Sequence, residues 1–104
     1  MHVRYYSLSI KRFFESLDVP TRTKVLRIVE YLKEYGHEIG MPYSRYVGNG
    51  VFELRTRGTT EVRLLYLFYK GEAVILHALF KKSEALPQKD VALAMKRRTE
   101  ILFI

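Results

Sequence analysis

Apolar residues recur at two different periods along this 104-residue chain, a helical one in its first third and a strand one beyond the middle. After a short opening segment, His2 to Tyr6, read as a strand, Ser7 is placed to cap a helix. Its apolar residues Ile10, Phe13, Phe14 and Leu17 fall at i, i+3, i+4 and i+7. Asp18, Val19 and Pro20 interrupt, and Pro20 suits the first turn of a second helix with the stripe Val25, Ile28, Val29, Leu32 and Tyr35, closed by Gly36. Two helices joined so tightly are expected to fold back as an antiparallel hairpin. His37 to Gly50, punctuated by Gly40, Pro42, Gly48 and Gly50, reads as a loop.

The period then changes to two. Val51 to Arg57 sets Phe52 and Leu54 on one face and Glu53, Arg55 and Arg57 on the other, and Gly58, Thr59 and Thr60 turn the chain into a second strand, Glu61 to Tyr69. Lys70, Gly71 and Glu72 form another turn before Ala73 to Phe80, whose nearly unbroken apolar run predicts a strand covered on both faces. Pro87 opens a terminal helix, with Asp90 in its first turn and Lys96, Arg97 and Arg98 on a later one. Ile101 to Ile104 are apolar and must pack on this chain or on a partner. The order strand, helix, helix, three strands, helix predicts one α+β domain over residues 1–104, helices against a mostly antiparallel sheet.

Lysine and arginine number 18 against 11 acidic residues, a formal charge of +7, so polyanions are the natural partners. Cysteine is absent, which removes disulfides, thiolate catalysis and cysteine-held metals and fits the cytoplasm. No signal-peptide core or membrane-length apolar run occurs, so no membrane association is expected. Strand pairing is expected to bring Arg55, Arg57, Arg63, Lys81 and Lys82 to one end of the sheet, either to grip phosphates or as solvated charges partly paired with Glu53 and Glu61. His77 lies inside an apolar run, as a hydrogen-bonded core residue or an acid-base group, and Tyr66 and Tyr69 either pack in the core or stack on a base. His2, His37 and His77 lack metal-ligand spacing, and neither a phosphate-cradling glycine motif nor a nucleophile elbow is present, so no metal or cofactor is expected.

Glu53-Leu54-Arg55, Glu61-Val62-Arg63 running into Leu64-Leu65-Tyr66, and Phe80-Lys81-Lys82 ahead of a proline-led helix together resemble the RelE/HigB toxin superfamily, in its phage-derived host-killing branch. The likeness in element order covers essentially the whole chain. It implies a RelE-like fold: a mostly antiparallel sheet packed against an N-terminal helical hairpin, with a C-terminal helix. It implies the toxin of a toxin-antitoxin pair, a ribosome-dependent, metal-independent endoribonuclease cutting translated mRNA. Its partners would be the ribosome, mRNA and a cognate antitoxin, expected to be of helix-turn-helix type and encoded beside it.

By the same resemblance Arg63 is assigned to the scissile phosphate, Lys82 or Lys81 to protonation of the leaving 5′-oxygen, and Arg55 to the preceding strand's basic position. Glu53 stands where the best-studied branch has a lysine base, and it either takes the proton or orients Arg55. Leu86, Pro87 and Gln88 stand where that branch has a stacking tyrosine. Arg57, Tyr66, Tyr69, His77, Lys96, Arg97 and Arg98 complete the expected RNA-contacting set. The alternative is a non-catalytic relative of the RelE/ParE fold that binds nucleic acid or inhibits a protein such as gyrase.

Overall fold

The computed structural model describes residues 1–103. Its elements are β1 (His2–Tyr5), α1 (Leu8–Ser16), α2 (Val19–Tyr35), β2 (Ser44–Gly48), β3 (Val51–Arg55), β4 (Val62–Tyr69), β5 (Glu72–Phe80) and α3 (Gln88–Leu102). The five strands form one sheet in the order β1-β5-β4-β3-β2.

Local chemistry accounts for most of the boundaries. Asp18 caps α2, its Oδ1 accepting from the Thr21 amide at 2.8 Å, and Pro20 sits in the first turn, where a missing N–H costs nothing. Gly36 ends the helix at φ 54°. Ser7 holds the N-cap position of α1, but its hydroxyl pairs with that of Ser9 instead of a helix amide. Asn49 and Gly50, at φ 52° and 83°, turn β2 into β3, and Lys70 and Gly71, at 49° and 77°, turn β4 into β5. Both are two-residue connections with consecutive positive φ, whose twist matches that of the flanking strands.

The expected mostly antiparallel sheet behind an N-terminal helical hairpin is corrected. The chain begins with a strand and the helices follow it. The sheet is mixed, because β1 pairs with β5 in parallel, His2 opposite Glu72 through Tyr5 opposite Ile75. The cause is topological: α1 and α2 carry the chain across one face to the far edge, and the meander β2-β3-β4-β5 brings it back beside β1. The segment read as a loop from His37 to Gly50 contains β2, antiparallel to β3.

Two apolar layers flank the sheet. Ile10, Phe14, Val25, Ile28, Val29 and Leu32 of α1 and α2 pack on Leu54, Leu64, Tyr66 and Ile75. Ala94 of α3, with Met95, packs on Leu65, Leu67, Val74 and Leu79 across the other face. Ile101 and Leu102 join that second layer, whereas Phe103 is 76% exposed; Ile104 lies outside the described residues. Tyr35, expected on the α2 stripe, is exposed. Among the described residues no helix is long and apolar enough to cross a membrane.

Candidate nucleic-acid interface

β3 ends, β4 begins and β5 ends at the same edge of the fold, since Arg55 lies opposite Arg63 and Arg63 opposite Leu79. Thr56 closes the connection beneath them, its Oγ1 accepting from the Val62 amide at 2.9 Å, so residues 57–61 project as a short loop. Alternation sends Glu53, Arg55 and Arg63 to the α3 side, and Arg45 of β2 joins them from its position opposite Glu53.

Glu53 is wholly buried and holds three guanidiniums. Arg45 Nε approaches its Oε1 at 2.7 Å and Arg55 Nε the same oxygen at 3.8 Å, while Arg63 Nε lies 3.3 Å from Oε2. Arg63 is itself only 1% exposed, and it also donates to the Thr56 carbonyl at 3.0 Å and to Glu61 Oε1 at 2.6 Å. A buried carboxylate with three guanidiniums within 4 Å holds them in place by charge, and only Arg45 among them makes a hydrogen bond to it. The Arg63 hydrogen bond, then its charge, holds the Glu61 carboxyl below the ordinary carboxylate range, with Lys81 and Arg55 acting in the same direction. Glu61 therefore occupies the anion position on Arg63.

The remaining cations are more open. Arg45 and Arg55 reach solvent with part of their side chains, Arg57 and Lys82 are exposed, and Lys81 is half-buried with its amide bonded to the Glu61 carbonyl. Of the five cations expected at this end, Arg55, Arg57, Lys81 and Lys82 are accessible and Arg63 lies beneath them.

His77 owes its orientation to an irregularity in β5. Leu65 pairs with His77 but Tyr66 pairs with Ile75, so Leu76 is an extra residue, and both Leu76 and His77 face α3. There His77 Nε2 meets Asp90 Oδ1 at 2.7 Å. The contact holds the ring by Nε2 and leaves Nδ1 as the nitrogen that Asp90 does not engage. Asp90 sits in the first turn of α3, where the helix dipole favours its charge. Among the described residues no three His, Cys, Asp or Glu side chains gather closely enough to hold a metal ion.

The other expected contacts lie elsewhere. Tyr66 is fully buried with its hydroxyl 2.6 Å from Ser44 Oγ, and burial pushes its pKa up to about 12. Tyr69 is six residues along β4 from Arg63, roughly 20 Å away. Arg97 donates to the Leu76 carbonyl at 2.6 Å and stacks on Tyr6, and Arg98 bonds the Asn49 carbonyl at the opposite end of the sheet. Lys96 is exposed on the same late turn of α3. Sequence reasoning missed Arg45, which sat inside the presumed loop, and Asp90 as the partner of His77. The Asn49-Gly50 dipeptide was the signal that could have exposed β2, and with it Arg45.

Comparison with known families finds that the model described as phage-derived protein Gp49-like (DUF891) matches residues 12–99. No curated protein matches the chain.

Proposed function

The chain belongs to the phage-derived Gp49-like family (DUF891), a RelE-like toxin family associated with toxin-antitoxin systems, and from that membership we propose that it cleaves translated mRNA on the ribosome and is neutralised by an antitoxin encoded beside it. The observation that carries this reading is the arginine set ordered by buried Glu53 at the sheet end that also bears Lys81 and Lys82. Arg45 and Arg55 are held in place before substrate arrives, so they stabilise developing phosphate charge with little rearrangement, and the change that binding requires is the displacement of Glu61 from Arg63.

In this scheme the RNA supplies its own nucleophile. His77 Nδ1 takes the 2′-hydroxyl proton, the 2′-oxygen bonds to phosphorus, and the bond from phosphorus to the 5′-oxygen breaks. Lys82 or Lys81 gives a proton to that leaving oxygen, leaving a 2′,3′-cyclic phosphate and a 5′-hydroxyl. Arg45 and Arg55 meet the phosphate directly, and Arg63 does so where the phosphate replaces Glu61. Glu53 is a positioning residue for all three.

Purified protein added to ribosomes programmed with mRNA tests the scheme. Cleavage with cyclic-phosphate ends is expected, much weaker on naked RNA, because the A site supplies the ordering that free RNA lacks. His77→Ala and the double variant Lys81→Ala/Lys82→Ala should each lower the rate by roughly 100-fold or more. The second reading, a non-catalytic relative, is favoured by the burial of Arg63 and the occupation of its guanidinium by Glu61. Arrest of growth without RNA cleavage would select it.

A further inference from the structure

Around the edge of the sheet from the Glu53 cluster lies a groove of about 280 Å³ between α2 and the chain segments flanking β2 and β3. Four cations, Lys24, Arg27, Arg55 and Arg57, line it together with the rings of Tyr31 and Tyr43. No acidic side chain among the described residues lines it, in contrast to the neighbouring cluster, where Glu53 and Glu61 answer the arginines. The two rings meet edge to face, 5.1 Å between centroids at 73°, and Tyr43 remains 42% exposed. Lys24 is held at the rim by its bond to the Arg57 carbonyl at 3.0 Å. It passes directly over Gly58, where a Cβ would collide with the ammonium.

We propose that this groove is a nucleotide subsite, in which an RNA base lies against Tyr43 and its phosphate is held by Arg27 and Arg57. The pairing of aromatic walls with cations that meet no carboxylate inside the groove selects a ligand that is flat and anionic together. An inorganic anion leaves the rings unused, and an uncharged aromatic leaves the cations unused. The volume suits a single nucleotide. Arg55 belongs to both places, lining the groove and touching Glu53 at 3.8 Å, so a strand whose scissile phosphate lies at the arginine cluster runs on into the groove. The proposal rests on the reading of the chain as an RNA-directed toxin and extends it to a neighbouring nucleotide.

Titration of the intact protein with AMP, adenosine and inorganic phosphate, followed by amide chemical shifts, tests it without ribosomes or turnover. Saturable AMP binding that shifts the Tyr43 and Arg57 amides is expected, with adenosine and phosphate at least roughly tenfold weaker. Arg27→Ala and Tyr43→Ala should each weaken AMP roughly tenfold, Tyr43→Phe should retain it because the ring face is kept, and Lys82→Ala should leave it unchanged. Equal binding of phosphate and AMP would reduce the groove to an anion site and overturn the proposal. So would AMP binding that ignores both Arg27→Ala and Tyr43→Ala, or a groove that binds an acidic antitoxin peptide but not AMP. A protein inactive on ribosomes yet binding AMP here would sink the cleavage scheme and leave the subsite standing.

Discussion

Glu53 and Arg63 have no useful exposure to water, so their charges are balanced almost entirely by each other and by Arg45, Arg55 and Glu61. Breaking such a set by removing one member is costly, because the remaining charge is stranded. Arg63→Ala is expected to destabilise the fold by about 3–5 kcal/mol. Glu53→Ala, which strands three guanidiniums, should cost at least as much, and Arg45→Ala, whose side chain is half exposed, much less. Urea melts of the three variants check that order, and an Arg63→Ala protein as stable as the parent would contradict it. Glu61 gives the cluster a pH signature. Its carboxyl titrates below its unfolded value, so the contact with Arg63 contributes stability that is fully present above the ordinary carboxylate range. That contribution is lost as the pH falls through the lowered folded value. Thermal melts in acid should therefore fall less steeply for Glu61→Gln than for the parent, and superimposable acid limbs would rule the contact out as a contributor.

At the scale of elements, the strands are registered by their turns. Lys70 and Gly71 both hold positive φ, and the whole β4-β5 pairing, including the extra residue that turns His77 towards α3, is counted from that turn. A Cβ at position 71 meets no atom within 4 Å, so the expected penalty of Gly71→Ala is conformational, about 1–2 kcal/mol. Denaturant unfolding measures it, and an unchanged midpoint would mean that the turn relaxes freely. The same reasoning shows why the central strands could be read from their residues but not their neighbours. Ala73 to Phe80 is apolar on both faces because α1 and α2 cover one side and α3 the other. By contrast, β2 is a short edge strand, Ser-Arg-Tyr-Val-Gly, that needs to be apolar on neither face and so resembles a loop.

At the scale of the whole molecule, the charge of +7 acts through its distribution. Arg97 and Arg98 spend their charge tying α3 to β5 and to the β2-β3 turn, whereas Arg45, Arg55, Arg57, Lys81 and Lys82 stand at one end of the sheet. Binding of a short single-stranded RNA should therefore weaken with salt, with a slope in log-log form of roughly −0.7 for each phosphate contacted. Arg57→Ala should make that slope shallower by about 0.7, whereas Lys96→Ala, on the late turn of α3, should leave it unaltered. Fluorescence anisotropy across a salt series distinguishes the two, and equal effects from both substitutions would mean that charge acts without a defined site.

What the sequence determined by itself was everything carried by near neighbours. The first-turn proline Pro20, the helix stop at Gly36, the stripe from Val25 to Leu32, the doubly apolar β5 and the proline-led α3 each follow from residues within a few positions of one another. The charge balance pointed towards a polyanion for the same reason, and the motifs around Glu53, Arg63 and Lys81-Lys82 carried a family resemblance that implied RNA, since composition and short spacing survive without a fold. Only the tertiary structure decided that β1 runs parallel to β5, that Arg63 lies buried under its neighbours, and that His77 faces Asp90. These depend on which strands become neighbours and on one extra residue in a ladder. Strand alternation assigns a side chain to a face, but burial depends on what covers that face. Arg63 and Lys82 therefore look alike in sequence, and packing alone makes one the buried anchor of the site and the other its exposed cation.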